Sequence, residues 1–244
     1  MPSQTVVFSL FDLESLHAKR WAFERIGLSH LLPGRPQLPP RAQWIKLLGS
    51  GAGNGFGLRP NLGGYALLAA FPDESAARAA LTSKVWRAYA QRAKRVRTLL
   101  LRAVTAHGLW DGAEPFETGG TWDPSQPLAV LTRARIRWQH LPAFWRRVAQ
   151  VSESIEYYPE RVFSVGVGEL PVVQQATVSV WTSGEAMLDY AYRSAYHKEV
   201  VQLTRRQGWY SEELFCRFTV LDAFDSSDAG WPGLSPAADA TRMD

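Results

Sequence analysis

An internal repeat runs through this chain. Gly55-Phe-Gly57-Leu-Arg-Pro60 resembles Gly166-Val-Gly168-Glu-Leu-Pro171, Phe71-Pro-Asp-Glu-Ser-Ala76 aligns with Trp181-Thr-Ser-Gly-Glu-Ala186, and GLWDGAEPF at 108–116 aligns with GWYSEELF at 208–215. Copies of this length are domain-sized units rather than the short turns of a solenoid. The fold must therefore be one that a unit can form, but that two units complete.

Hydrophobic periodicity gives the content of each copy. In the first, TVVFSLFDL (5–13) predicts a strand and 14–31 a helix, followed by a proline-rich surface loop at 31–42. QWIKLLGSG predicts a strand entering the glycine-rich run, and YALLAAF (65–71) a second strand paired with it. From Asp73, alanine and arginine throughout and a glycine stop at Gly108 predict one long helix. The second copy reads strand 127–138, helix LPAFWRRVAQVSESIEYY, two strands within 161–181, a helix ending at Gly208 and a last strand at 212–224.

Each unit is thus the β-α-β-β-α-β pattern of an α+β, ferredoxin-like domain, with an antiparallel sheet covered by helices on one face. A lone unit would leave its second sheet face wet, whereas two units in one chain close a dimeric-α+β-barrel-like structure. The expected divisions are residues 1–122, residues 123–224 and a disordered tail at 225–244, rich in Ser, Asp, Ala, Gly and Pro.

Composition removes several functions. Lys and Arg number 27 against 23 acids, spread along the chain, so nucleic acid is not an expected partner. One cysteine, Cys216, excludes an intramolecular disulfide framework and a cysteine-built metal cage, which suits a reducing cytoplasm. No run approaches the roughly 20 apolar residues that span a bilayer. Peripheral contact with the inner membrane face is still compatible, through the basic helix face expected at 92–102, as is self-association.

Among five histidines, His197 stands out, because it lies in the last long helix and Arg193 shares its face one turn earlier. The repeat sets His197 opposite Arg87, so the imidazole belongs to the second unit alone. Multi-ligand zinc motifs are absent, but haem needs only one strong axial ligand. Cys216 shares a strand face with Leu214 and Phe218 and reads as a buried hydrophobe, with Arg217 projecting oppositely. The run Gly49-Ser-Gly-Ala-Gly-Asn-Gly55 lacks the ending of a phosphate loop and reads as a wide turn. Lys46 and Arg59 add positive charge near it, a solvated rim in the plain reading.

A set of segments carries a resemblance: WIKLLGSGAGNGF followed by PN, then FPDESAA, WDGAEPF, PLAVLTRARIRW, VGVGELPVVQQATVSVW and HKEVV preceding GWYSEELFCRF. Together, from about Val6 to Leu221, they resemble the spheroidene monooxygenase family of acyclic carotenoid ketolases. The resemblance implies a monooxygenase using haem b, dioxygen and an external electron donor on a small-molecule substrate. It implies His197 as axial iron ligand; Arg193, on the same helix face, and Lys46, near the glycine run, are cofactor-side candidates by their placement. Gln174 and Gln175 match the family's paired glutamines, and Arg217 its last-strand arginine, giving candidate catalytic or propionate-contacting groups. The family's Pro-Asn-Trp reads Pro60-Asn61-Leu62 here. Two alternatives stay open: a haem enzyme acting on a nitrogen-containing molecule by oxime dehydration or amine oxidation, and a non-catalytic ligand-binding barrel.

Overall fold

The structure, a computed structural model, describes residues 3–27, 39–51, 60–119, 122–147, 158–169, 172–193, 203–204, 206–227, 231 and 234, the side chains of residues 192 and 193 excepted. The first half supplies β1 (Thr5–Asp12), β2 (Trp44–Gly51), β3 (Pro60–Phe71) and β4 (Arg95–Gly108). The second supplies β5 (Leu128–Ile136), β6 (Arg161–Gly168), β7 (Gln174–Trp181) and β8 (Tyr210–Asp225). Each half arranges its strands in the same order, β4-β1-β3-β2 and β8-β5-β7-β6, and the two sheets join at both edges into a closed barrel. Closure pairs β4 with β8 along most of their length and joins β2 to β6 only briefly.

The two seams are unequal. β4 pairs β8 along a ladder from Arg97↔Asp225 to Gly108↔Leu214. β2 meets β6 only at Gly49↔Gly168 and Ser50↔Val167, and the strands then part.

Period-two alternation sorts the side chains into an inner and an outer set. Phe8, Leu10, Leu68, Leu99 and Leu101 of the first sheet face Leu131, Val178, Leu214, Cys216 and Phe218 of the second across one shared interior. Neither sheet could bury this face alone, which is the physical reason for the duplication. Burial pushes the Cys216 thiol up, as befits a packing residue rather than a nucleophile.

Helices cover the outside. α1 (Leu16–Ala22) runs into a π-turn at Phe23–Gly27, and α2 (Glu74–Leu81) and α3 (Lys84–Ala90) follow β3. Asp73 Oδ1 accepts from the Ala76 amide at 2.7 Å and Ser83 Oγ from the Trp86 amide at 3.2 Å, capping two helices in succession. In the second half α4 covers 141–147, and α5 (Gly184–Arg193) starts from Ser183, whose Oγ accepts from the Ala186 amide at 3.1 Å. No described helix is long and apolar enough to cross a membrane.

Three expectations are corrected. The helix expected from Asp73 to Gly108 is two short helices and then β4, the strand missing from the first unit. Leu99, Leu100 and Leu101 are all buried because alternate residues face the interior and the helix layer, and such a continuous apolar run carries no strand period. The basic stretch 92–102 is therefore not a helix face that could lie on lipid. The repeat alignment of 108–116 with 208–215 also fails: Gly108, at φ 101°, ends β4, whereas Gly208 precedes β8. In the segment after Phe224, Trp231 and Leu234 are buried in the interior cluster, and Trp231 Nε1 donates to the Phe224 carbonyl at 2.8 Å. Those two residues are packed, not disordered.

Candidate functional site

Strand register makes the two outer faces comparable residue by residue. In the first sheet Ser9 lies between Leu67 and Thr98, Val7 between Ala69 and Leu100, and Phe11 between Tyr65 and Val96. In the second, Thr132 lies between Thr177 and Phe215, Val130 between Ser179 and Arg217, and Ala134 between Gln175 and Glu213. So Phe11 becomes Ala134, Tyr65 becomes Gln175, Leu67 becomes Thr177 and Leu100 becomes Arg217. Large apolar side chains have given way to small or polar ones.

The consequence is visible in the packing. The first outer face is one continuous cluster, in which Phe11 meets Trp86 edge-on at 5.0 Å and Tyr89 at 5.4 Å, and even Ser9 is sealed, bonded to Thr98 at 3.0 Å. The second is split. Leu128, Val130, Trp181, Met187 and Tyr190 form one cluster, and Ile136, Phe144 and Trp209 another. Among the described residues, no apolar cluster spans this face: Thr132, on a strand flanked on both sides, lies exposed in the gap between the two, beside buried Ala134.

Arg217 borders this gap. Its guanidinium lies 5.4 Å from the rings of both Trp122 and Phe215, and its Nε is buried with no hydrogen-bond partner. An unmatched buried donor of this kind costs free energy unless something accepts from it. Trp122 is in turn fixed by α5: a Cβ at Gly184 would come within 2.6 Å of its ring, so only glycine lets the helix start there.

The candidate residues fall into separate places. Gln175 and Arg217 share the outer face, at opposite ends of the gap. Gln174, one residue from Gln175, faces the barrel side instead. With its amide turned to match its neighbours, its nitrogen would donate to Glu169 at 3.2 Å and its oxygen accept from Arg135 at 3.1 Å. Lys46 lies with it, paired with Asp111 and, at 2.7 Å, with Glu169. The adjacent glutamines therefore serve different surfaces, because a strand alternates. Arg193 is the last residue of α5; of the glycine run expected to turn at 49–55, Gly49 to Gly51 belong to β2 instead, and its remainder, with Arg59 and His197, lies outside the described residues.

Gln174 and Lys46 belong to an ionic network that closes one barrel mouth and ties the halves together. Arg133, 1% exposed, pairs with Glu212 and, at 3.3 Å, with Asp111, and lies 5.2 Å from the Trp110 ring. Arg135 bonds Asp111 at 2.5 Å, and Trp110 Nε1 donates to Glu169 at 2.8 Å. The sequence carried a signal for this: Arg133 and Arg135 share the parity of inward-facing Ala129 and Leu131. Alternating apolar and basic residues read equally well as solvent-facing, so the sequence alone does not single these arginines out.

Burial works against ionisation of Glu212, but amides of Gly112 and Asp111 and the Arg133 guanidinium outweigh it and bring its pKa to about 2. A depressed carboxyl stabilises the fold above its unfolded value, ordinarily near 4.5, and loses that contribution as pH falls towards about 2. The urea midpoint should therefore drop between pH 4.5 and 2, and Glu212→Gln should flatten this limb; an unchanged limb would show that the network carries no linked stability.

No protein-family model matches the chain. Three curated relatives do. A spheroidene monooxygenase of Cereibacter sphaeroides is 34% identical over 97% of this chain and 72% of its own length. One from Rhodobacter capsulatus is 33% identical, covering 94% of both, and one from Rubrivivax gelatinosus is 35% identical over 80% of this chain and 73% of its own. Among solved structures, an aldoxime dehydratase in complex with butyraldoxime superposes with a TM-score of 0.57 at 10% identity, over 91% of this chain and 82% of that one. A second aldoxime dehydratase gives 0.57 at 12% identity. At such identities the likeness is one of fold.

Proposed function

The chain belongs to the spheroidene monooxygenase family, and from that premise we propose that it is a haem-dependent monooxygenase acting on a long apolar, carotenoid-like molecule. The observation that carries the haem reading is the gap on the second outer face, opened where the first unit keeps Phe11, Tyr65 and Leu67. Small residues over a flat sheet suit a planar macrocycle, and the unpartnered Arg217 Nε suits a propionate. His197, placed after α5 by the sequence, would hold the iron.

Haem held by His197 would supply dioxygen activation. One oxygen atom enters the product and the other leaves as water, so two electrons come from an external donor. The chain's own part is to bind, orient and exclude water. Met187 and Tyr190 of α5 pack with Trp181 and Leu128 to seal one side of the gap, and Phe144 with Trp209 and Ile136 seals the other. Gln175, Thr177 and Thr132 set hydrogen-bonding groups on the floor between them. An apolar rim with a polar floor admits a hydrocarbon while fixing the polar end of a cofactor.

Purified protein should show a Soret band that His197→Ala abolishes or shifts, with activity falling at least about 100-fold. A spectrum identical in the variant would remove His197 as ligand. Colourless, iron-free protein after haem addition would overturn the haem reading and leave the ligand-binding barrel.

A further inference from the structure

Large apolar side chains are exposed at two well-separated places, and their surroundings differ in charge. Leu16 on α1 is 85% exposed, but ion pairs neighbour it, Arg20 with Glu24 and Lys94 with Glu14, each at 2.9 Å. Trp138, just after β5, is 80% exposed, and its neighbours are unpaired cations. Arg137, Arg146 and Arg206 are all exposed, and none has an acidic partner among the described residues.

The fold gathers these groups at one strand end. The Arg137 amide donates to the Trp209 carbonyl at 2.8 Å, and Arg206 lies three residues before Trp209. The turn at Trp138–His140 leads directly into α4, where Trp138, Pro142 and Arg146, four residues apart, are exposed while Phe144 is buried. The Phe144 ring lies 6.3 Å from that of Tyr210, the first residue of β8, so α4 returns to the same place. Of the acids that start β8, Glu212 is matched by Arg133, leaving Glu213 exposed against three arginines.

This lip adjoins one wall of the gap. His140 stacks on Trp209 at 6.2 Å, and Trp209 packs with Ile136 and Phe144 in the cluster that bounds the gap on that side. An exposed indole among guanidiniums suits a bilayer surface, where the ring settles at headgroup level and the cations attract anionic lipid. A long hydrocarbon also partitions into a bilayer rather than water. We propose that the lip of Arg137, Trp138, Arg146 and Arg206 docks the protein on an anionic lipid bilayer, a choice of occupant that rests on the apolar-substrate reading.

Flotation of the purified protein with vesicles tests this. Binding to mixed phosphatidylglycerol and phosphatidylcholine vesicles is expected, at least about tenfold tighter than to phosphatidylcholine alone, and lost in about 1 M salt, where charges are screened beyond about 3 Å. Arg137→Gln with Arg146→Gln should weaken it about 25-fold, or about fivefold for each arginine. Trp138→Ala should weaken it at least about fivefold at an unchanged melting temperature, since the ring is exposed. Leu16→Ala with Lys19→Gln should leave binding unmoved. Equal affinity for both vesicles, loss only in the Leu16 variant, or a Trp138→Ala that changes self-association in light scattering but not vesicle binding would overturn the proposal. Docking should persist in His197→Ala. Docking without turnover of any apolar substrate would sink the oxygenase reading and spare the lip, whereas turnover without docking would do the reverse.

Discussion

Ala134→Phe combined with Thr177→Leu should abolish haem uptake and cut oxygenase activity at least about 100-fold, equivalent to about 2.7 kcal/mol, while leaving the melting temperature unchanged or higher. These substitutions give the second outer face the residues that the first has at the same register positions, Phe11 and Leu67. In the first unit those side chains are buried in a continuous cluster beneath Trp86 and Tyr89. The same atoms should therefore find room in the gap, where burying an aliphatic or aromatic side chain is worth roughly 1.5–3 kcal/mol. If the gap is instead already filled, the larger side chains overpack it and cost about 1–3 kcal/mol. Thermal unfolding and the Soret spectrum read the two halves independently. A destabilised variant that still binds haem would place the macrocycle elsewhere.

Arg133→Ala should destabilise the barrel by about 3–5 kcal/mol, because truncation leaves Glu212 beside a closed mouth without its cation. For a domain of this size that is a fall in melting temperature of roughly 10 °C. The pair need not be net stabilising for this to hold, since the penalty arises from stranding one charge. Arg133→Met with Glu212→Gln should accordingly recover much of the loss, the double variant being more stable than the sum of the singles. A single variant within about 1 kcal/mol of the parent would mean that water reaches Glu212 and the network is an ordinary surface one. The haem spectrum should barely move, since Arg133 faces the interior and the gap lies on the opposite face.

These expectations draw on the sequence unevenly. The split-βαβ order, its duplication and the closure of two sheets into one barrel were legible, because a one-sided sheet has to bury its bare face. Cys216 was legible too, since its strand neighbours Leu214 and Phe218 fix its parity. β4 was not: Leu99 to Leu101 are buried on both sides, and a run without alternation looks helical when alanine and arginine surround it. With β4 a strand, Gly108 and Gly208 no longer correspond, and Leu100 is the counterpart of Arg217.

The residues of this chain determined by themselves that there are two like units, which face of each strand is apolar, and which family the whole resembles. Only the tertiary structure decided which residues stand opposite one another. It put Gln174 and Gln175 on different surfaces, matched Phe11 with Ala134, and buried Arg133 beside Glu212 of β8 and Asp111 of the turn after β4. The reason is physical: side-chain alternation is local and can be read along a chain, whereas register and seam pairing are set by long-range contacts. Those contacts leave no period in the sequence.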